Sequence, residues 1–264
     1  MIDAIHQSSL NMALRCGEQF RRRYIEGHMV PPGIAAGRGT GVHKANENNL
    51  KQKIKTDVDL SISDMKDAAR DGFVQAFNSG IYLPKGEIPE KERIINDALN
   101  DTMRLTELYG EQVAPKIHPL EVESQFNIDV GLPLNIAGTI DIQRESKLDD
   151  LKTTKKTWSD GQINKEIQPV LYSFVHEFKT GIRPRFDYQI LIALKNSVKL
   201  QVQSITPTNN HYRALFAKLH VFCSMIEKGV FLPANPTSWW CSEKWCGYYL
   251  TCPYVGNKYP KKWI

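Results

Sequence analysis

The sequence lacks the long hydrophobic runs that form membrane spans. No stretch of its 264 residues approaches the roughly 18–20 uninterrupted apolar residues that a spanning helix needs. The N-terminus also lacks a basic segment followed by an apolar run, which is the pattern of a secretory signal. We therefore expect a cytoplasmic protein without a membrane partner.

Internal repeats and low-complexity segments are missing as well. Hydrophobic residues make up 41% of the chain and charged residues 24%, which is ordinary for a folded globular protein. This composition excludes a disordered chain, a collagen-like repeat and a coiled-coil rod. The 34 basic and 29 acidic residues leave a net charge of +5. An excess of this size is compatible with an anionic partner but does not identify one.

Cysteine is scarce, and its number is odd. Without a secretory signal, five cysteines argue against a disulfide framework. Three of them, Cys241, Cys246 and Cys252, fall within twelve residues of an aromatic-rich segment near the C-terminus. Three thiolates are one ligand short of a closed zinc site or an iron–sulfur site, and Cys16 could supply the fourth from the opposite end of the chain. Cys223 lies in a predicted apolar helix and is interpreted as a core residue.

The spacing of hydrophobic residues divides the chain into a helical first half and a mixed second half. Helices are predicted over residues 8–27, 40–55, 63–78 and 89–113, with a Pro/Gly-rich loop before the second of them. An antiparallel meander of strands over 119–130, 134–142 and 147–153 follows, then a helix that begins at Gln168-Pro169, strands over 188–194 and 198–205, and a helix over 210–228. This order predicts an α/β sandwich with a central mixed sheet of about five strands and a helical N-terminal half.

Two aspartates and a lysine come close together in the predicted meander. Asp150 and Lys152 share one face of the third strand because side chains alternate between faces. Asp141, near the end of the preceding strand, could lie beside Asp150. Two carboxylates at one spot repel each other unless a cation lies between them, and Mg²⁺ or Mn²⁺ prefers such oxygen ligands. Taken alone, these three residues more often indicate solvated strand ends, because Asp and Lys at such positions are usually solvated.

Five short motifs stand in a fixed order along the chain. They are Gly39…His43, Glu123, Gly138-Thr139-Ile140-Asp141, Asp150-Leu151-Lys152-Thr153 and Gln168…Tyr172. In this order they resemble the RecB-like exonuclease branch of the PD-(D/E)XK nuclease superfamily. The resemblance implies a restriction-endonuclease-like α/β sandwich and a single nuclease domain over residues 1–264. Within it, the helical segment 44–115 would be an insertion, and the cysteine segment 229–264 would pack with the N-terminal helix.

The resemblance also implies a set of metal ligands. His43, Asp141, Asp150 and the backbone carbonyl of Leu151 would bind the catalytic Mg²⁺ or Mn²⁺. Glu123 would be a further ligand or a residue that supports the ligands, although an exposed charge on an edge strand is equally consistent with its position.

The remaining motif residues would act on the substrate. By the same resemblance, Lys152 would position the attacking water or stabilise the transition state. Gln168 and Tyr172 would guide the DNA strand or steady the lysine. Asp149 is a rival of Asp150, but only Asp150 stands two residues before the lysine.

The cysteines extend the resemblance. CRISPR-associated iron–sulfur exonucleases and AddB-type nuclease domains have one cysteine before the nuclease core and three after it, and these hold a [4Fe-4S] cluster. Cys16, Cys241, Cys246 and Cys252 have the same distribution here. Four residues separate Cys241 from Cys246 where the common pattern has two, so zinc remains the alternative metal.

Basic residues flank the predicted site in sequence. Side chains that could neutralise DNA phosphates are Arg15, Arg21, Arg22, Arg23, Lys152, Lys155, Lys156 and Lys165. Trp158, in the Lys-rich loop, could stack on a base of a single strand. The three consecutive arginines are equally consistent with a solvated helix face.

The resemblance implies a metal-dependent DNA exonuclease that acts on single strands or duplex ends in phage or mobile-element recombination, repair or DNA processing. It would work in the cytoplasm, which is that of the host if the protein is phage-encoded. No helicase motor motif is present, so a helicase or recombination partner and a homo-oligomer both remain open. The alternatives are a non-catalytic DNA-binding or scaffold protein of the same fold and a structure-specific endonuclease.

Overall fold

Helices dominate the first half of the chain and strands the second in a computed structural model that describes residues 2–255. The first half consists of β1 (Ala4–Ile5), α1 (Gln7–Arg15), α2 (Gly17–Phe20), α3 (Ile34–Thr56), α4 (Ile62–Gln75) and α5 (Lys91–Gln112). The second half consists of β2 (Glu121–Ile128), β3 (Asn135–Gln143), β4 (Lys147–Thr154), α6 (Ile167–Thr180), β5 (Arg185–Ala193), β6 (Val198–Ile205) and α7 (Asn209–Lys228).

The strands form one mixed sheet. Its order is β1-β3-β4-β5-β6, and β2 also pairs with β3. The pairs β2–β3, β3–β4 and β5–β6 are antiparallel, whereas β1–β3 and β4–β5 are parallel. The predicted α/β sandwich with a mixed sheet is therefore confirmed. The additional sixth strand is β1, whose two residues are too short to give an alternating pattern in the sequence.

Helices cover both faces of the sheet. On one face, residues of α1, α6 and α7 such as Leu10, Leu171 and Phe222 pack against the sheet. On the other face, residues of α3 and α5 such as Leu50 and Leu105 do the same. Strand β5 is covered on both sides, which explains why every residue after Arg185 is buried and why its second half is apolar. None of the helices within residues 2–255 is long and apolar enough to cross a membrane.

The first predicted helix is interrupted. Cys16 is extended, with φ −161° and ψ 104°, and separates α1 from α2, which continues into a π-helical turn at Arg21–Ile25. The backbone N–H of Gly17 donates to the carbonyl of Leu232 at 2.7 Å. A side chain at position 17 would meet the backbone N of Leu232 at 2.6 Å, so this close approach requires glycine. The prediction of one continuous helix over 8–27 is wrong because the C-terminal segment packs against this point.

Strands β3 and β4 form a fork. They pair only at Ile142–Asp149 and Gln143–Leu148, while the beginning of β3 pairs with β1 instead. The two strands separate beyond Ile142 and Asp149, immediately before Asp141 on one strand and Asp150 on the other. The fork frees backbone N–H and C=O groups that a continuous ladder would pair.

Candidate functional site

Three carboxylates form a row across the fork. The register of the flanking pairs brings Glu123 of β2 opposite Asp141 of β3, and Asp141 opposite Asp150 of β4. Burial and the neighbouring charge of Asp141 raise the pKa of Asp150, although Lys152 opposes this shift. Burial also acts to raise the pKa of Asp141, but its hydrogen bond to His43 prevails and lowers it. The meander therefore brings together the two aspartates that the sequence predicts as neighbours.

Glu123 interrupts the β2–β3 ladder. Its φ of 55° lies in the left-handed region, which costs a residue with a side chain about 1–3 kcal/mol. Burial, together with the nearby charge of Asp141, raises the pKa of its carboxyl to about 7. The side chain is turned toward His43 and Asp141, since one ligand atom of each of the three residues lies within 4.8 Å of the others. The unusual backbone thus accompanies a cluster of groups that can bind a metal.

His43 faces an acceptor with each ring nitrogen. Its Nδ1 lies 3.2 Å from Oδ2 of Asp141, and its Nε2 lies 2.7 Å from the carbonyl oxygen of Leu151. A neutral imidazole carries only one N–H and cannot donate to both. Burial disfavours the charged ring, but the carboxylate of Asp141 prevails and raises the pKa of His43 to about 9. In the absence of a metal the site therefore draws a proton onto His43.

Lys152 is fixed on the other side of Asp150. Its Nζ lies 2.6 Å from Oδ2 of Asp150 and donates to Oε1 of Gln168 at 2.8 Å. Gln168 in turn donates through Nε2 to Oδ1 of Asp150. Tyr172, one helical turn further along α6, is buried and packs edge to face against Phe126. The predicted residues of β4 and α6 therefore meet at the fork.

Tyr188 belongs to this group, although the motifs do not include it. Its hydroxyl donates to Oε1 of Gln168 at 3.2 Å, and its ring centroid lies 5.1 Å from Nζ of Lys152. It sits opposite Asp150 in the parallel β4–β5 pair. The sequence shows it only as one more apolar position of a buried strand, so the register between the strands is needed to find it.

Asp149 points to the opposite face of β4. Its carboxylate accepts two hydrogen bonds from Arg144, at 2.7 and 2.8 Å, and one from Gln189 at 3.0 Å. A carboxylate that is paired in this way and buried on the α5 side is part of the packing. The side chain of Asp149 therefore points away from the row of carboxylates.

The fork has the donor set that a divalent cation needs. The Oδ2 atoms of Asp141 and Asp150 are buried, and within residues 2–255 their charged contacts are His43 and Lys152 respectively. Hard cations prefer carboxylate and carbonyl oxygens of this kind. An open cavity of about 580 Å³ reaches the same point, lined by Gly39, Thr40, Glu47, Glu123 and Asp141 among others.

Four of the five cysteines gather where the chain ends meet. Burial, together with Cys252 and Cys16, raises the pKa of Cys241, and burial raises the pKa of Cys246 next to the same two thiols. All are unpaired and partly exposed. Within residues 2–255, only the acidic group at the fork has three candidate ligand atoms within 4.8 Å of one another, so no three of these sulfurs are that close. Cys223 is buried in the core as interpreted.

The consecutive arginines and Trp158 hold the fold together. Arg21 and Arg22 pair with the buried Glu18 at 2.8 and 2.7 Å. Arg22 also donates to the hydroxyl and the carbonyl of Thr251, at 2.8 and 3.0 Å. Trp158 is half-buried and packs edge to face against Tyr188. These side chains are therefore engaged within the chain.

A family model described as the PD-(D/E)XK nuclease superfamily matches residues 5–254. No curated protein sequence matches the chain. Among solved structures, a crystal structure from Eubacterium rectale named "Putative exonuclease" is 12% identical, with 90% of this chain and 87% of that one covered and a TM-score of 0.55. A structure of SSO0001 is also 12% identical, with 96% of this chain and 87% of that one covered and a TM-score of 0.44. At this identity the first structure supports the fold alone.

Proposed function

The chain belongs to the PD-(D/E)XK nuclease superfamily, and on that basis we propose that it is a Mg²⁺- or Mn²⁺-dependent DNA exonuclease. The observation that carries the proposal is the position of Lys152. Its ammonium is held between Asp150 and Gln168, beside the carboxylate row and one residue from the Leu151 carbonyl. A fixed positive charge therefore lies beside oxygens of the kind that bind divalent cations.

His43, Asp141, Asp150 and the Leu151 carbonyl would hold the cation, with Glu123 as a further ligand or a support for them. When bound, the cation would polarise the scissile phosphate and lower the pKa of a water molecule. Metal ligands must be deprotonated, so the cation would compete with the proton on His43. The carbonyl of Leu151 already faces that ring at 2.7 Å.

Lys152 would act on the attacking water or on a phosphate oxygen. Its ammonium can donate a proton in a hydrogen bond to either, and it stabilises negative charge that grows on the phosphate. Gln168 accepts from Lys152 and donates to Asp150, so it holds both groups in position. Tyr188 contacts both Gln168 and Lys152, and Tyr172 lies one helical turn beyond Gln168. The products would be 5′-phosphorylated nucleotides, in keeping with the resemblance.

Replacement of Lys152 tests this assignment. We expect Lys152→Ala to lower the cleavage rate of linear DNA in Mn²⁺ by about 10²-fold or more, because one fixed charge at the reacting centre is lost. Lys199→Ala, an exposed lysine of β6 outside the site, serves as the matched control and should cleave at the wild-type rate. Undiminished cleavage by Lys152→Ala would contradict the assignment. EDTA should abolish cleavage by the wild type.

The form of the substrate distinguishes the rival functions. An exonuclease should degrade linear single strands or duplex ends and leave covalently closed circles intact. A structure-specific endonuclease would nick or linearise the circles, and a non-catalytic DNA-binding or scaffold protein would bind both without cleaving either. For an exonuclease we propose a role in phage or mobile-element recombination, repair or DNA processing.

We further propose that Cys16, Cys241, Cys246 and Cys252 hold a [4Fe-4S] cluster, with zinc as the alternative. A tetrahedral zinc site with Zn–S bonds of about 2.3 Å brings its sulfurs to about 3.8 Å from one another. The wider spacing of these thiols favours a cubane, because the iron–sulfide core then lies between the four outer sulfurs. The backbone N–H of Ala234 donates to Sγ of Cys16 at 3.3 Å, and hydrogen bonds to the ligand sulfurs are a feature of iron–sulfur sites.

Purification without oxygen tests the cluster. We expect a brown protein with broad visible absorption and iron, and we expect Cys16→Ala to lose both. Cys223→Ala removes a thiol outside the group and is the matched control, so it should keep the colour. A colourless wild type that contains zinc would replace the cluster by the alternative, and a metal-free wild type would contradict both.

A further inference from the structure

Three cations gather around one carboxylate beside the fork, and the proposed chemistry uses none of them. Nζ of Lys155 lies 3.1 Å from Oδ2 of Asp101, and Arg104 lies 3.5 Å from its Oδ1. Arg38 of α3 is the third cation, and Asp101 is the opposite charge that acts on it. A single carboxylate cannot neutralise three cations, so the cluster keeps an excess of two positive charges.

Arg38 is the unusual member of this cluster. It is only 5% exposed, and its Nε has no hydrogen-bond partner among residues 2–255. Burying a guanidinium is costly unless opposite charges and acceptors surround it. Asp101, which is shared with two other cations, meets this need only in part. An additional anion at this cluster would therefore stabilise the buried guanidinium of Arg38.

The other two cations are accessible from solvent. The side chains of Arg104 and Lys155 are 35% and 58% exposed, whereas that of Asp101 is 12% exposed. An incoming anion would thus meet the two cations before it meets the carboxylate. Asp101 lies beneath them and fixes their positions.

The cluster lies close to the fork along β4. Lys155 follows the last residue of β4, three positions after Lys152, which is about 10 Å at the rise of an extended chain. Gly39, next to Arg38 in α3, faces the hydroxyl of Thr153, and the ideal Cβ position of Gly39 is 3.7 Å from that oxygen. A distance of about 10 Å is short enough for one DNA strand to contact both Lys152 and Lys155.

We propose that Arg104 and Lys155, with the buried charge of Arg38 beneath them, bind a backbone phosphate of the DNA strand a few nucleotides from the bond that is cut. This subsite deepens the proposed nuclease function and rests on it. It recognises the phosphate and no base, and it would hold the strand in line with Lys152. Asp101 is a positioning residue, because it touches the two cations and not the DNA.

The salt dependence of DNA binding tests the subsite. The full chain is titrated with a fluorescent single strand and with a duplex, in EDTA so that nothing is cut, between about 50 and 200 mM salt. Each lost phosphate contact lowers the slope of log K against log salt by about 0.9 for duplex and about 0.7 for single strands. Because both cations face one phosphate, we expect a loss of this size for the double variant and a smaller loss for Lys155→Gln or Arg104→Gln alone. Arg93→Gln removes the same charge from α5 where Glu90 and Asp97 pair with it, and it should leave the slope unchanged.

The outcomes separate the subsite from the proposed function. A wild type that cleaves DNA, together with a double variant whose slope is unchanged, would overturn the subsite and leave the nuclease intact. A slope that falls equally in Arg93→Gln would also overturn it, because the effect would then come from net charge. A wild type that neither binds nor cuts DNA would overturn both proposals. Thermal melting of each variant shows whether it is folded, and both exposed substitutions should melt near the wild type.

Discussion

At the scale of single residues, Asp141 controls the charge of His43. The hydrogen bond and the charge of this carboxylate raise the pKa of His43 from 6.5 to about 9 against the effect of burial. We expect Asp141→Asn to bring this pKa back below 9 toward its ordinary value, because the amide has no charge. Titration of the imidazole by NMR in metal-free protein measures it, and His43→Gln identifies the resonance. A pKa of about 9 that persists in Asp141→Asn would contradict this cause.

The same shift makes stability depend on pH. His43 binds its proton more tightly in the folded chain, so its contribution to stability is complete below about pH 6.5 and is lost as the pH rises through about 9. Urea unfolding in EDTA should therefore show wild-type stability falling across this interval relative to Asp141→Asn. The decisive quantity is the change of the unfolding free energy with pH, compared between the two proteins. Absolute values are not comparable, because Asp141→Asn also removes the repulsion with Asp150.

The sequence predicts that Asp141, Asp150 and Lys152 lie together, because their spacing has a direct geometric meaning. The other candidate residues come from the family resemblance. Alternation along β4 predicts that Asp150 and Lys152 share a face, and a short meander predicts that Asp141 lies beside them. Their contacts in the structure agree with both expectations. Tyr188 could not be predicted, because its role depends on the parallel register between β4 and β5. That register is set by packing and leaves no local pattern in the sequence.

At the scale of elements, the left-handed backbone of Glu123 in β2 lowers stability at a residue that we propose supports the metal. Glu123 has a φ of 55° and its carboxyl is half-buried, so the position is strained and poorly solvated. Glycine adopts this conformation without a steric penalty. We expect Glu123→Gly to raise the free energy of unfolding by about 1 kcal/mol and to weaken metal-dependent cleavage. Urea unfolding and the Mn²⁺ dependence of cleavage measure the two effects.

Glu121→Gly is the control for this prediction. Glu121 belongs to the same strand, is exposed and pairs with Gln143 in the ladder. Glycine there should lower the free energy of unfolding by about 0.5–1 kcal/mol, since it adds backbone freedom to the unfolded chain and loses only an exposed hydrogen bond from Ser124. Equal destabilisation by the two substitutions would show that Glu123 is not strained.

Element boundaries could be predicted where local pattern decides them and not where distant packing does. Strand β6 is found at the predicted residues, and the strands of the meander differ by at most two residues at either end. Helix α3 begins at Ile34, six residues before the predicted start. Its first turns are rich in glycine and alanine, which is typical of a loop, but they are helical because α4 packs closely on them. A Cβ at Gly41 would lie 2.6 Å from the carbonyl oxygen of Ala69, so only glycine permits this contact.

At the scale of the whole molecule, hydrogen bonds join the N-terminal segment around Cys16 to the segment that precedes Cys252. Arg22 donates to Thr251, which directly precedes Cys252, and Gly17 next to Cys16 donates to Leu232. The proposed cluster would join the same segments. The hydrogen bonds and the proposed cluster would therefore order one region. The sequence singles out only the cysteines in it, because the arginine belongs to no recognisable motif.

This arrangement predicts that the two contacts are energetically coupled. When Cys16→Ala removes the cluster, the segment around Cys252 has lost its main tie. The hydrogen bonds of Arg22, which contribute about 1 kcal/mol each, are then too weak to order it. We expect Arg22→Gln to lower the free energy of unfolding in the wild type, and to lower it less in Cys16→Ala, where only the pair with Glu18 is lost. The coupling energy from the double-mutant cycle should be about 0.5–3 kcal/mol.

Urea unfolding of the four anaerobically prepared proteins measures this coupling, with tryptophan fluorescence as the signal because Trp239, Trp240 and Trp245 lie in the same segment. Arg15→Gln is the matched control, since Arg15 lies in the preceding helix and donates only to the neighbouring Gln19. Its effect should be small and the same with and without Cys16. If the effects of Arg22→Gln and Cys16→Ala add within about 0.3–0.5 kcal/mol, the arginine and the cysteines do not order the same segment. The cluster would then join the chain ends without help from the π-helical turn.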